Sequence, residues 1–240
     1  MQIHDDWKQT LADADLASAS SWWTDGRVRV WRSLPERENA TLDLPGLARL
    51  HVKRFRQPGQ IAPELRGIEL LKQADIPTLT VVAHGEDDGR GVLVTHDLVG
   101  LTAGDALLRD GLSFDALLGP TADLAANLHA AGLHHRDLYL CHFFARRDGS
   151  DVHLIDAARV RKLPWLTRKR WIVKDIAQFI YSLRQARVRN DHVEAWLARW
   201  ADCLGVELPS WRRSIDAKHA TITRRDARVK VRQRDVTLRD

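Results

Sequence analysis

A change of hydrophobic period near residue 100 constrains this chain more than any other feature. Upstream of it, RVRVWRSL (27–34), ATLDL (40–44) and ARLHVKRF (48–55) alternate apolar and polar residues, as half-buried strands do, and PER/EN between the first two reads as a turn. PELRGIELLKQADIP (63–77) then repeats its apolar residues at Leu65, Ile68 and Leu71, with Pro63 opening a helix and Pro77 closing it. TLTVVAHG (78–85) and RGVLVTHDL (90–98) are apolar strand runs separated by the turn EDDG. From Thr102 onward LTAGDALLRDG, FDALLGPTADLAANLHAAGL, VKDIAQFIYSLRQA and HVEAWLARWADCLG carry helical spacing. The pattern predicts an α+β fold: a small antiparallel five-stranded sheet with one helix, followed by a mainly helical lobe. The expected boundaries are a sheet lobe over 1–98, with its core at 27–98 and an extension at 1–26, a helical lobe over 99–215, and a basic tail over 216–240.

With 240 residues, 44% of them hydrophobic, the chain can bury one substantial core or two smaller ones. Cys141 and Cys203 are too few for a disulfide framework, so a reducing cytoplasm is expected. MQIHDDWKQTLADADLA has acidic residues where a signal peptide needs a basic start, and no window approaches the roughly 18 apolar residues of a membrane span. The expectation is a protein that is neither exported by that route nor threaded through a bilayer. The net charge of +5 is concentrated at one end, where residues 212–240 hold ten Lys and Arg against four Asp. Two readings stand for that end: a solvated, partly disordered terminus, or a segment attracted to phosphate on lipid, glycan or nucleic acid. No aromatic platform is interleaved among its arginines, so nucleic acid is not expected. Trp165, Trp171, Trp196, Trp200 and Trp211 sit in helical patterns and are read as core.

The stretch HHRDLYLCHFF (134–144) concentrates the chemistry. It follows a helix ending in AAGL, where Gly132 suits a C-cap, and precedes CHFFA and VHLIDAA, which are separated by the turn RRDGSD. Asp137 therefore sits on a loop, and Asp156 lies at the end of a strand 19 residues later. Phosphoryl transfer needs a carboxylate near the attacking hydroxyl, a second one on Mg²⁺, and a Lys on the nucleotide phosphates. Asp137, Asp156 and Lys53 supply these. Taken alone, Lys53 would be read as a solvated strand residue. The local histidines, His129, His134, His135, His142 and His153, fit no common zinc spacing.

HRDLYLCHF, LIDAARVR, RWIVKDIAQFIYS, HVKRF and PELRGIELLKQADIPT, in their order along residues 27–185, resemble the lipopolysaccharide core kinases. That group, the Kdo and heptose kinases (WaaP/InaA-like), is itself similar to the eukaryotic-type protein kinases. The resemblance implies a two-lobed protein-kinase-like fold and an ATP-dependent, Mg²⁺-requiring enzyme that phosphorylates a sugar hydroxyl, on Kdo or heptose, of the lipopolysaccharide inner core. It implies cytoplasmic placement, peripheral on the inner membrane, and the charge of the basic tail offers a contact to anionic lipid there. Lys53 matches the phosphate-gripping lysine and Glu64 its acidic partner, with Glu69 a second candidate. On this basis Lys53→Met is expected to lower activity and leave the fold intact. Asp137 matches the catalytic carboxylate and Asp156 the Mg²⁺ ligand, although Ala157 and Ala158 replace the Phe-Gly of protein kinases. Asp175 matches a buried aspartate that accepts backbone N–H groups of the catalytic loop, while His135 and Arg136 hold that loop in shape.

Two departures stand out. His142 occupies the place of the protein-kinase Asn that binds a second Mg²⁺, as in lipopolysaccharide kinases. Because Mg²⁺ prefers oxygen ligands, His142 is open between metal ligand and partner of a carboxylate or phosphate. The turn SLPEREN lacks the glycines that fold over nucleotide phosphates, leaving its backbone N–H groups and Arg37 as phosphate contacts. A non-catalytic nucleotide-binding pseudokinase, which would usually lack Lys53, Asp137 or Asp156, and a kinase acting on a protein or small metabolite are the alternatives.

Overall fold

The structure, a computed structural model, describes residues 1–47 and 49–237, with side chains described as far as Arg228. Its contacts divide the chain into two compact units, each with its own core. The first comprises Met1–Glu69, Thr78–Gly100 and Asp156–Ala158; the second comprises Leu70–Pro77, Leu101–Ile155 and Arg159–Asp240.

In the first unit, β1 (Gln2–Ile3) precedes two short helices, α1 (Lys8–Asp13) and α2 (Ser21–Thr24). β2 (Arg29–Ser33), β3 (Arg37–Leu42) and β4 (Leu50–Phe55) follow, then α3 (Ile61–Gln73), which belongs to this unit as far as Glu69, β5 (Val81–Asp87) and β6 (Arg90–His96). All pairings are antiparallel, in the order β1-β5-β6-β4-β3-β2. The sheet thus has six strands where five were expected, and Gln2–Ile3 adds the sixth against β5. Asp88 and Gly89, both at positive φ, make the two-residue connection between β5 and β6, as the right-handed twist of a hairpin favours.

Strand alternation sends Leu50, Val52 and Arg54 to one face of β4 and His51, Lys53 and Phe55 to the other. The first face is buried under residues expected to form a mere extension: Leu11, Leu16, Ala19 and Trp22 join Leu50, Val52, Val92 and Val94 in one cluster. On the second face Phe55, Leu93 and Ile61 of α3 pack together. Lys53 therefore emerges on the side that α3 covers.

The second unit holds β7 (Thr102–Ala103), α4 (Gly104–Arg109), α5 (Asp115–Ala130), β8 (Leu133–His134), β9 (Phe143–Ala145), β10 (His153–Leu154) and β11 (Arg161–Lys162). It ends in α6 (Arg168–Gln185), α7 (Asn190–Leu204) and α8 (Leu208–Thr237). Gly132 closes α5 at φ 74°, where a Cβ would be disfavoured. α5 packs on α7, and α6 on α8. Phe179 of α6 stacks on Trp196 of α7 with ring centroids 4.3 Å apart, and Phe143 of β9 meets Phe179 edge-on.

The basic end is thus helical through Thr237, as the last part of α8; Arg239 and Asp240 lie outside the described residues. Trp196 and Trp200 are fully buried as expected, but Trp165 is 78% exposed and Leu166 83%. Trp171 and Trp211 are half-buried. Trp165 sits in a 3-10 turn with no buried residues, so helical spacing gave a false core signal there.

Candidate active site

Lys53 points to α3, and its Nζ hydrogen-bonds Glu64, one turn into that helix. Glu64 is only 1% exposed and the Lys53 side chain 24%, so the ion pair is buried at its acidic end. Asp156 Oδ1 lies 3.9 Å from the same Nζ. Asp156 adopts φ 59°, a left-handed conformation that costs a non-glycine residue about 1–2 kcal/mol. It is held there from below by a close approach: a Cβ added at Gly67 of α3 would stand 1.8 Å from the Ala157 carbonyl oxygen. Glu64 and Gly67 are three residues apart on α3. One helix face thus positions both the lysine and the aspartate segment.

Arg37 opens β3 on the same face as Lys53, since Arg37 pairs with Phe55 and Asn39 with Lys53. Its Nε is buried without a hydrogen-bond partner. In the turn before it, Leu34 N–H bonds the Arg37 carbonyl at 2.8 Å and Arg37 N–H bonds the Leu34 carbonyl at 3.3 Å, so a tight hairpin takes up two of the backbone N–H groups there.

In the second unit the catalytic loop is built around Asp175. This carboxylate is fully buried and accepts His135 N–H at 2.7 Å and Arg136 N–H at 2.8 Å. Trp200 Nε1–H donates to His129 Nδ1 at 3.2 Å, which fixes the proton of that ring on Nε2, 3.5 Å from Asp175. Burial by itself would raise the Asp175 pKa, but the His129 hydrogen bond, the neighbouring His129 and His135 and the His135 backbone donor outweigh it and hold the carboxyl below its usual value. Arg136 sits at φ 68°, and its carbonyl accepts a hydrogen bond from Lys174 Nζ. Both sides of the Arg136 peptide are therefore tied to α6, which stabilises the strained turn that presents Asp137.

Asp137 is partly exposed. Gln178 Nε2 donates to its Oδ1 at 3.3 Å and to the Tyr139 hydroxyl at 3.0 Å, and Arg159 Nη1 lies 3.6 Å from the same Oδ1. His142 Nδ1 donates to the Asp137 carbonyl at 2.7 Å, which leaves the lone pair of a neutral ring on Nε2. His142 O in turn accepts Ile155 N–H at 2.9 Å. Gln178 and Arg159 carry no spacing signal that single them out. They reach Asp137 only because α6 and the segment after Asp156 fold back on the loop.

The structure thus joins Lys53, Glu64 and Asp156 in one unit, and Asp137, His142 and Asp175 in the other. Glu69, the second candidate for the lysine, is not its partner; Glu64 is. A cation donor with a neighbouring carboxylate can hold phosphate and metal, and a carboxylate steadied by an amide and a guanidinium can orient a hydroxyl.

Residues 48–204 match the family model described as the lipopolysaccharide kinase (Kdo/WaaP) family. A curated relative, the lipopolysaccharide core heptose(I) kinase WaaP of Pseudomonas aeruginosa, is 31% identical over 137 residues, which cover 50% of this chain and 51% of that protein. The match thus spans about half the length of the curated relative.

Proposed function

The chain belongs to the lipopolysaccharide kinase (Kdo/WaaP) family, and from its own residues we propose that it transfers the γ-phosphoryl group of ATP to a sugar hydroxyl, of Kdo or heptose, in the lipopolysaccharide inner core. The observation that carries this reading is the Lys53–Glu64 pair with Asp156 beside the same Nζ. A pseudokinase has no need of that trio together with a steadied Asp137.

In the proposed reaction Lys53 holds the nucleotide phosphates, with Glu64 fixing its ammonium, and the Arg37 guanidinium supplies a further phosphate contact. Asp137 accepts a hydrogen bond from the acceptor O–H and thereby aims its oxygen at the γ-phosphorus. The new O–P bond forms as the bond to the β–γ bridging oxygen breaks, that electron pair leaves with ADP, and the hydroxyl proton passes to the Asp137 carboxylate. Gln178 and Arg159 keep that carboxylate from rotating. Among the described residues no group of three His, Cys, Asp or Glu side chains forms a metal cage. Mg²⁺ is usually held by one or two carboxylates with phosphate and water, and Asp156, beside the Lys53 ammonium, offers such a carboxylate. His142 stays open between a metal ligand and a partner of carboxylate or phosphate. Bound Mg²⁺ would neutralise charge developing on the phosphate oxygens.

A second partner we propose is an anionic membrane surface, for a cytoplasmic protein peripheral on the inner membrane. Among the described residues no helix is long and apolar enough to cross a membrane. Support for surface contact comes from α8 and from the exposed Trp165–Leu166 pair, which Arg168, Lys169 and Arg170 follow directly.

Mass spectrometry of core oligosaccharide from cells with and without the gene tests the substrate class. Loss of one phosphate unit, restored by the parent gene, is the expected result. An unchanged core would contradict the reading and move the search to a protein or metabolite acceptor.

A further inference from the structure

Next to Asp137, within the second unit, lies a cavity of about 650 Å³ walled by side chains of one sign. Arg136, Arg159, Lys169, Arg170, Lys174 and Lys218 line it, and among its described lining residues none is acidic. These cations come from the catalytic loop, the segment after Asp156, α6 and α8, so the fold gathers them rather than a single basic run. No Asp or Glu occurs from Ala157 to Lys174, while seven Lys or Arg do. Collecting so many like charges in one concavity is unfavourable unless an anion offsets them.

The cavity is also shaped. The Arg136 guanidinium lies 4.7 Å from the Trp171 ring centroid, and Arg170 and Lys174 each lie 5.8 Å from it. The Arg136 backbone is fixed by Asp175 and Lys174, and its Nε is buried without a hydrogen-bond partner. Burial lowers the Lys174 pKa; the Asp175 and Asp137 charges oppose that shift, and the Arg159 and Arg136 charges add to it. Arg159 spans the cavity and the catalytic carboxylate, lying 3.6 Å from Asp137. An anion seated among these groups would therefore be a near neighbour of the reacting hydroxyl.

We infer that this cavity binds a carboxylate or phosphate of the acceptor, carried on a sugar adjoining the one that is phosphorylated. The inference rests on the kinase reading for the word acceptor, but the site itself is testable without activity. Its volume suits one or two sugar rings, and guanidinium forks pair with planar oxyanions in two parallel hydrogen bonds.

The probe is trigalacturonate, with neutral maltotriose as control, titrated into the full-length protein while the ¹⁵N–¹H indole signal of Trp171 is followed, assigned with Trp171→Phe. Trigalacturonate should shift that signal saturably and maltotriose should not. The double variant Arg170→Gln/Lys218→Gln, whose substitutions lie outside the catalytic set, should raise the dissociation constant about tenfold or more. The same variant should raise the acceptor KM about tenfold with kcat and the ATP KM unchanged. No shift in the parent, equal shifts by both sugars, or an unaltered dissociation constant in the variant would overturn the site, whatever the enzyme assay shows. If the variant instead loses binding to phosphatidylglycerol vesicles while its acceptor KM stays put, the cations serve the membrane and the inference fails. A protein that binds trigalacturonate as described yet phosphorylates no core acceptor would keep the site and refute only the kinase reading.

Discussion

At the scale of single residues, burial changes what a substitution means. Lys53→Met was expected to spare the fold, but Glu64 is 1% exposed and would be left as an uncompensated buried charge, a loss of about 3–5 kcal/mol. Urea unfolding should show this destabilisation, and Lys53→Met/Glu64→Leu should recover much of it while remaining inactive. A fully stable Lys53→Met protein would mean that Glu64 is not buried in solution. His134 makes a second case. Burial, the largest influence, holds its pKa down to about 4 from the ordinary 6.5. Between those values the unfolded chain binds a proton that the folded chain refuses, so stability is complete above about pH 6.5 and declines as pH falls toward 4, by at most about 3 kcal/mol. Unfolding measured at pH 7, 5.5 and 4.5 should show the decline, and His134→Gln should flatten it. Asp175, with its pKa lowered, adds a separate loss only at lower pH, as it is protonated. Asp137 and Asp156 are legible in the sequence because each follows the end of an element, whereas Lys53, inside β4, is singled out only by the motifs that accompany it. Gln178 is not, because a polar residue on a helix face looks solvated until the loop beneath it is in place.

At the scale of elements, α3 carries a constraint that no periodicity reveals. A Cβ at Gly67 would lie 1.8 Å from Ala157 O and 2.7 Å from Ala157 C, both backbone atoms that cannot swing aside. Gly67→Ala should therefore push the Asp156 segment off α3, costing about 1–3 kcal/mol as overpacking does and weakening Mg-ATP binding about tenfold or more. Gly119→Ala, whose added Cβ meets only the Arg199 side chain at 3.4 Å, should change neither quantity. Calorimetric titration of Mg-ATP into both variants checks this, and normal affinity in Gly67→Ala would remove α3 from the positioning of Asp156. The strands and α3 are readable from alternation and from proline boundaries. The N-terminal layer is not: Leu11, Leu16, Ala19 and Trp22 fit neither a two-residue nor a strict helical repeat, because two short helices with a bend between them present them. α8 is hidden for a different reason. Its apolar positions Trp211, Ile215 and Ile222 are helically spaced, but His219 interrupts them and arginines dominate the composition. His219 nonetheless faces Tyr181 of α6, ring to ring at 6.4 Å.

At the scale of the whole molecule, two kinds of surface follow from one basic composition. The exposed Trp165–Leu166 pair suits the interfacial region of a bilayer, where an indole ring is favoured and nearby cations meet anionic headgroups. Trp165→Ser/Leu166→Ser, at positions 78% and 83% exposed, should leave stability within about 0.5 kcal/mol and weaken cosedimentation with anionic vesicles several-fold. Unchanged sedimentation would detach these residues from the membrane. The central claim, that the loop at Asp137 performs phosphoryl transfer, is met most directly by transfer of label from γ-labelled ATP to purified core acceptor, comparing the parent with Asp137→Asn and measuring Mg-ATP affinity on the same samples. The account predicts that Asp137→Asn lowers turnover by about 10² or more with nucleotide affinity preserved, because the amide keeps the shape but accepts no proton. Parental turnover in Asp137→Asn would contradict it.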